Sequence, residues 1–360
     1  MRLELNEKSH RRFNPLTGEW VLVSPHRTNR PWQGKVEETF TEIKPEYDPG
    51  CYLCPGNERA GGKKNPDYED TFVFENDYSA LNNEQGGNDI NIDDIIISES
   101  EPGVCRVVCF SPKHNLTLAE MEAEKILAVV DTWIREFGEL GKRAEINYVQ
   151  IFENKGEIMG CSNPHPHSQI WATRSVPVEP LKETIQQEDF RKARNTCLLC
   201  DYLRLETELG ERLVIDNDDF IAVVPFWSIW PFETMIVSKR HIKNISEFTA
   251  AEKKSFAEIL KGITSVYDKV FNVSFPYSAG IHQAPTDDKE YPGWHFHYHF
   301  YPPLLRSAVI KKFMVGFEML AEPQKDFTAE TGAEVLKKIA SINMIAQGEN
   351  NYTDRKEGKI

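Results

Sequence analysis

Hydrophobic and polar positions run through the same order twice along this chain. In the first pass a strand-like FVFEND, Phe72 to Asp77, precedes the β-rich RVVCFSPKH that ends at His114. Apolar residues then take helical spacing, with Ile126, Leu127, Val130, Trp133, Ile134 and Phe137 on one stripe. Ahead of them, Thr117-Leu-Ala-Glu120 has the form of a capping box. The run INYVQIFEN, Ile146 to Asn154, returns to strand character and leads into His165-Pro-His167-Ser-Gln169. In the second pass FIAVVP, Phe220 to Pro225, is followed by TMIVSKRH ending at His241. Thr249-Ala-Ala-Glu252 opens a helix striped by Phe256, Ile259, Leu260, Ile263 and Val266, and FPYSAGIH leads to His295-Phe-His297-Tyr-His299. Each half reads as strands around one long helix. This predicts an α+β fold with a largely antiparallel sheet and helices packed on it. The acidic stretch from Asn83 to Glu101 reads as a surface insertion, residues 329–344 as a further helix, and the end of the chain as a polar tail.

Composition narrows the function. With 42 Lys+Arg against 56 Asp+Glu the 360-residue chain carries a formal charge of -14, which argues against nucleic acid and anionic membranes as partners. Small anionic substrates remain open where basic residues gather locally. No apolar run has the length of a bilayer span, and the first fifteen residues lack the apolar core of a signal peptide, so the expected location is the cytoplasm. Seven cysteines, an odd number, fit a reducing compartment better than a disulfide framework. Four of them form two Cys-x-x-Cys pairs, Cys51/Cys54 and Cys197/Cys200, without a thioredoxin-like setting, which favours metal.

The histidines cluster in the same repeat. Cys51, Cys54, His114 and His165 offer two thiolates and two imidazoles, a complement suited to tetrahedral zinc. Cys197, Cys200, His241 and His295 stand in the same order in the second half and predict a second zinc site. In a strand, residues two apart share a face, so His165 and His167 are expected side by side, as are His295, His297 and His299. If His165 binds metal, His167 is fixed next to it with a ring nitrogen available to attack phosphorus. His167 as a third ligand, or as a plain hydrogen-bonding residue, stays open on these grounds.

The motifs SPHRTNRPWQG, FVFENDYSAL, VVCFSPKH, GCSNPHPHSQIWA, VVPFWSIWPFET and FHYHFYPPLLRSAVIKKFMVGFEML together resemble the galactose-1-phosphate uridylyltransferase family of the histidine-triad superfamily, from about Phe13 to Asp326. The resemblance implies two tandem histidine-triad-like repeats, an N-terminal one over 1–180 and a C-terminal one over 181–348, with the tail at 349–360. It makes His167 the nucleophile of a ping-pong reaction. UDP-glucose uridylylates His167, glucose 1-phosphate leaves, and galactose 1-phosphate takes the uridylyl group. Gln169 then contacts the transferred phosphoryl, and Gly160, Cys161 and Ser162 meet the β-phosphate. Arg27, Arg30 and Lys312 supply phosphate charge, and Phe74, Asn76 and Asp77 the nucleoside site. Asn154, Phe313, Phe317, Glu318 and Gln324 match further substrate positions, the last two at the hexose hydroxyls. The resemblance also implies a homodimer whose sites use both subunits, and an iron or zinc site at Glu183, His282, His297 and His299.

Two departures stand out. Ser168 replaces a smaller residue common in the family. Relatives with the iron site lack the second Cys-x-x-Cys and the histidine at 295, which occur together here. Another branch, of sugar-nucleotide phosphorylases and adenylyltransferases, carries two zinc sites and is the leading alternative. A non-catalytic zinc-dependent binding module is the other. The residues Arg27-Thr-Asn-Arg30, Lys312-Phe313 and Gln324 oppose the first, and His167 with Gln169 opposes the second.

Overall fold

The computed structural model describes residues 5, 7–29, 44–82 and 89–342. In chain order it holds strands β1 (His10–Asn14), β2 (Glu19–Val23) and β3 (Phe72–Glu75), a hairpin of β4 (Ile90–Ile92) and β5 (Ile96–Ser98), β6 (Gly103–Cys109), helix α1 (Ala123–Leu140), β7 (Tyr148–Lys155) and β8 (His167–Thr173). Helices α2 (Val178–Arg194) and α3 (Leu198–Leu209) precede β9 (Leu213–Asp216), β10 (Phe220–Val223), β11 (Thr234–Ser238), α4 (Ala250–Val270), β12 (Tyr277–His282) and β13 (His297–Tyr301). Last come β14 (Leu304–Ser307), β15 (Ile310–Lys311), the one-turn α5 (Phe317–Leu320), β16 (Gln324–Lys325) and a helix α6 over 329–342.

Nine strands form one sheet in the order β3-β6-β8-β7-β12-β13-β11-β10-β9, with every neighbouring pair antiparallel. The repeat is visible in this order. Reading outward from the central β7–β12 pair, β8 matches β13, β6 matches β11 and β3 matches β10. Thus His167 and His297 each open the second strand from the centre of their own half.

Alternation explains why both faces of the sheet are covered. Val104 and Val108 of β6, Ile170 and Ala172 of β8, Phe220 and Ala222 of β10, and Tyr298 and Phe300 of β13 enter one large core under α1 and α4. Their neighbours face the other way. Ile221, Val223, Met235 and Val237 meet Leu198, Leu199 and Leu203 of α3. Val107 and Cys109 meet Cys51, Leu53 and Cys54. Each Cys-x-x-Cys segment therefore caps the outer strands of its own half, on the face opposite the long helices.

Several expectations need correction. Helix α1 starts at Ala123 with Glu122 as its N-cap, because Thr117 and Glu120 bond each other side chain to side chain at 3.0 Å rather than capping backbone amides. The equivalent box in the second half forms as read, Thr249 N to Glu252 Oε2 at 2.7 Å and Glu252 N to Thr249 Oγ1 at 3.2 Å. His165 and His295 lie in the turns before β8 and β13, so neither shares a strand face with the histidine that follows it. Within the acidic 83–101 stretch, β4 and β5 form an exposed hairpin. Arg30 and the tail at 349–360 lie outside the described residues.

Candidate functional site

The loop from β7 to β8 is shaped by two glycines in the left-handed region, Gly156 (φ 90°) and Gly160 (φ 78°), conformations that side chains disfavour. It turns the chain back so that Cys161, Ser162 and His167, together with Asn154 of β7, line a cavity of about 380 Å³. Asn163 pins the loop from beneath. Its Oδ1 accepts from His165 N at 2.9 Å, and its amide stands 3.4 Å from Cys51 Sγ.

His167 is held in one tautomer. Its Nδ1 lies 2.7 Å from the carbonyl oxygen of His165, which can only accept, so Nδ1 carries the proton and Nε2 the lone pair. Burial lowers the pKa of this imidazole, against the carbonyl contact that raises it, which favours the neutral, nucleophilic ring. Gln169, two residues on and on the same strand face, is oriented by Trp171, whose Nε1 donates to Gln169 Oε1 at 3.1 Å. On the opposite face, Ser168 accepts from Trp133 Nε1 at 2.9 Å inside the core.

Among the described residues, three groups of potential metal ligands surround this framework. Cys51, Cys54, His114 and His165 are all buried, with their donor atoms within 4.8 Å of one another. Cys54 Sγ is 3.7 Å from His114 Nδ1 and 3.6 Å from His165 Nδ1. His165 Nε2 is committed to Ser111 O at 2.8 Å, with the Tyr68 hydroxyl at 3.1 Å, leaving Nδ1 toward the thiols. This donor set fits an ion.

In the second half Cys197 Sγ and Cys200 Sγ lie 3.2 and 3.5 Å from His295 Nδ1, while His295 Nε2 is held by Ser238 O at 2.8 Å. Cys197, His241 and His295 place their donors within 4.8 Å of one another; Cys200 stands just outside that mutual set. Cys197 is the N-cap of α3, and a hydrogen bond from Cys200, opposed by burial and helped by His295, brings its thiol down to about 4. The third group joins Glu183 of α2 to His282, His297 and His299 at 2.9, 3.1 and 3.8 Å. Apart from these close approaches to one another, Glu183 Oε2, His297 Nε2 and both ring nitrogens of His299 are buried and make no hydrogen bond. Each of the four residues also offers one ligand atom within 4.8 Å of the others, and buried polar atoms left without hydrogen bonds in such a group are what a bound cation would satisfy. Burial alone would raise Glu183, but the neighbouring imidazoles outweigh it and hold the carboxyl well below its ordinary range.

Comparison with known proteins decides the lineage. The sequence pattern of "Galactose-1-phosphate uridyl transferase, N-terminal domain" matches residues 1–177, and that of the C-terminal domain matches residues 183–347. The galactose-1-phosphate uridylyltransferase of Saccharomyces cerevisiae is 48% identical over 351 residues, covering 93% of this chain and 96% of its own. That of Haemophilus influenzae is also 48% identical, covering 94% and 97%. The chain belongs to the galactose-1-phosphate uridylyltransferase family. A solved uridylyltransferase superposes with a TM-score of 0.73 at 27% identity, covering 92% of this chain and 98% of that one. An ADP-glucose phosphorylase from Arabidopsis thaliana shares the fold, with a TM-score of 0.72 at 24% identity over 92% of this chain and 99% of its own.

The remaining positions matched to this uridylyltransferase family fall in two other places. Phe74, Asn76 and Asp77 sit at the end of the edge strand β3. There Phe74 carries the Arg59 guanidinium 3.8 Å above its ring, Asn76 Oδ1 accepts from Tyr78 N at 2.9 Å, and Asp77 pairs with Arg59 and Lys63 at 3.2 and 3.3 Å. The other set gathers around β16 and its parallel neighbour β2. Arg27 pairs with Asp326 at 3.6 Å, Gln324 donates to the same carboxylate at 2.6 Å, and Lys312 donates to Gln324 O at 2.7 Å and to Glu318. Phe313 and Phe317 are exposed nearby. None of this set lines the cavity beside His167. Sequence reasoning overlooked Lys44, Arg59, Asn163 and Trp171. Of these Asn163 and Trp171 stood in a motif already singled out, GCSNPHPHSQIWA, Trp171 two residues past Gln169 and on its strand face.

Proposed function

We propose that this protein is a UDP-glucose–hexose-1-phosphate uridylyltransferase that exchanges UMP between glucose 1-phosphate and galactose 1-phosphate through a uridylyl-His167 intermediate. The observation that carries the reading is the Nδ1 contact of His167 with the His165 carbonyl, beside an open cavity. Nε2 attacks the α-phosphorus of UDP-glucose as the bond to the oxygen of glucose 1-phosphate breaks. The imidazole becomes positively charged, and its Nδ1–H bond to the carbonyl strengthens with that charge. An oxygen of galactose 1-phosphate then attacks the same phosphorus and the P–N bond breaks, giving UDP-galactose and returning neutral His167. Gln169 donates its amide NH₂ to the nonbridging oxygens, and the Gly160-Cys161-Ser162 turn receives the β-phosphate, where negative charge grows as the leaving group departs. Phe74, Asn76 and Asp77 hold the nucleoside.

Zinc in the first Cys/His group, a second zinc at Cys197, Cys200, His241 and His295, and iron or zinc at Glu183, His282, His297 and His299 would hold the turns before β8 and β13 in place. The β16 set with Arg30 completes the site across a homodimer, its exposed Phe313 and Phe317 reaching a partner's cavity. The location is the cytoplasm. Incubation with labelled UDP-glucose tests the reading. The wild type should retain an acid-labile uridylyl label, and His167→Gly should stay folded and retain none. A folded His167→Gly that labels at the normal rate rules out this nucleophile. Label from ADP-glucose instead would favour a phosphorylase, and no label from either a binding module.

A further inference from the structure

A phosphate dianion entering the His167 cavity needs positive charge there, and the chain as a whole has a formal charge of -14. Among the described residues, the cavity lining holds four charged ones, Lys44, Glu153, Lys155 and Glu157. Lys155 is already neutralised, with Nζ 2.7 Å from Asp268 Oδ1. Glu153 is buried and bonded to the Tyr277 hydroxyl at 3.2 Å, and Glu157 is exposed; neither carboxyl attracts an anion. Within the same chain Arg27 and Lys312 do not line this cavity and pair with Asp326 and Glu318. Lys44, half-buried, makes no ion pair among the described residues.

We propose that Lys44 binds the phosphate of the hexose 1-phosphate, the leaving group of one half-reaction and the attacking group of the other. The assignment rests on the uridylyl-transfer reading for its substrate, and on the cavity's charges for its position. Lysine suits the role because a mobile point charge can follow the phosphate as it separates from and returns to the α-phosphorus. One contact serves both half-reactions, so its loss should slow uridylylation by UDP-glucose and uridylyl discharge to galactose 1-phosphate alike.

The test compares wild type, Lys44→Met and Lys44→Arg, each checked for an unchanged melting temperature. Two quantities are read: equilibrium binding of glucose 1-phosphate without any nucleotide, and the rates of the two half-reactions. Lys44→Met should weaken binding and slow both half-reactions by about tenfold or more, the scale of a charge-assisted contact. Lys44→Arg should stay within a few-fold of wild type. Binding by Lys44→Met within twofold of wild type overturns the proposal. So does a loss in Lys44→Arg equal to that in Lys44→Met, or a wild type that does not bind glucose 1-phosphate. If binding falls as expected but the wild type takes no uridylyl label, Lys44 stands as a phosphate ligand and the transferase reading fails instead.

Discussion

At the scale of single residues, the chemistry depends on which atom of each side chain is tied up. His167 presents Nε2 because Nδ1 is spent on a carbonyl. Gln169 presents its NH₂ because the Trp171 indole, which can only donate, takes the amide oxygen. Trp171→Phe keeps the ring packed edge-on against Phe152 and removes only that donor, so the amide is free to turn its oxygen toward the phosphate. The expected outcome is a loss of about fivefold in the rate of His167 uridylylation, the worth of one ordinary hydrogen bond. The same change made in a Gln169→Ala background should cost nothing further. Burst-phase labelling measures both, and an additive loss would show that Trp171 acts by packing rather than through Gln169. The His-Pro-His motif was legible from sequence as a candidate site, and the structure sets His167 on the cavity. The placing of His165 was not, because Pro166 has no amide to give the sheet and strand pairing with β6 begins only at His167. The alternation rule holds from that residue on, and His165 is free to turn toward Cys54.

At the scale of elements, α1 and α4 were readable because their buried stripes are apolar; α2 was not, because its inward face is largely polar. Glu183, Thr184 and Gln187 are its buried side chains beside Pro180, so hydrophobic spacing carried no signal there. That polar face has a purpose in the fold. Glu183 meets three histidines from β12 and β13, and Gln187 Oε1 accepts from His295 N at 3.0 Å, so one helix braces two ligand groups. The second Cys-x-x-Cys was readable as a ligand pair, and its sulfurs do converge on His295, but its role as the N-cap of α3 was not visible. Cys197→Ser with Cys200→Ser should remove one metal equivalent per chain by elemental analysis and lower the melting temperature. His167 should still accept label, because it sits in the other half. An unchanged metal count would leave the Cys197 thiol as the helix cap alone.

At the scale of the whole molecule, distant segments are held by buried charge as well as by the core. Arg12 of β1 forms two 2.9 Å bonds to Glu330 of α6, and Arg212, before β9, reaches the same carboxylate at 2.7 Å and Glu206 of α3 at 2.9 Å. Two guanidinium and two carboxylate groups thus tie the N-terminal strand, the α3–β9 turn and the C-terminal helix together, and both arginines are essentially inaccessible. No helix among the described residues is long and apolar enough to cross a membrane. None of this network was legible in sequence, since its members are 318 and 118 residues apart and each alone reads as a surface charge. Burial would raise Glu330, but the hydrogen bonds and charge of Arg12, with Arg212, bring it from its ordinary 4.5 to about 2. A carboxylate whose folded pKa is depressed contributes stability that is fully present above its unfolded value and fades as pH falls through the folded one. Glu330→Gln should therefore cost about 3–5 kcal/mol at neutral pH, because it leaves buried positive charge uncompensated. The gap between wild type and variant should narrow as pH drops from about 4.5 toward 2. Urea denaturation at pH 7, 5 and 3 reads this directly. A gap that stays constant over that range would mean that Glu330 contributes by shape and hydrogen bonding alone, and that the charge network is not what ties β1 and α6 together.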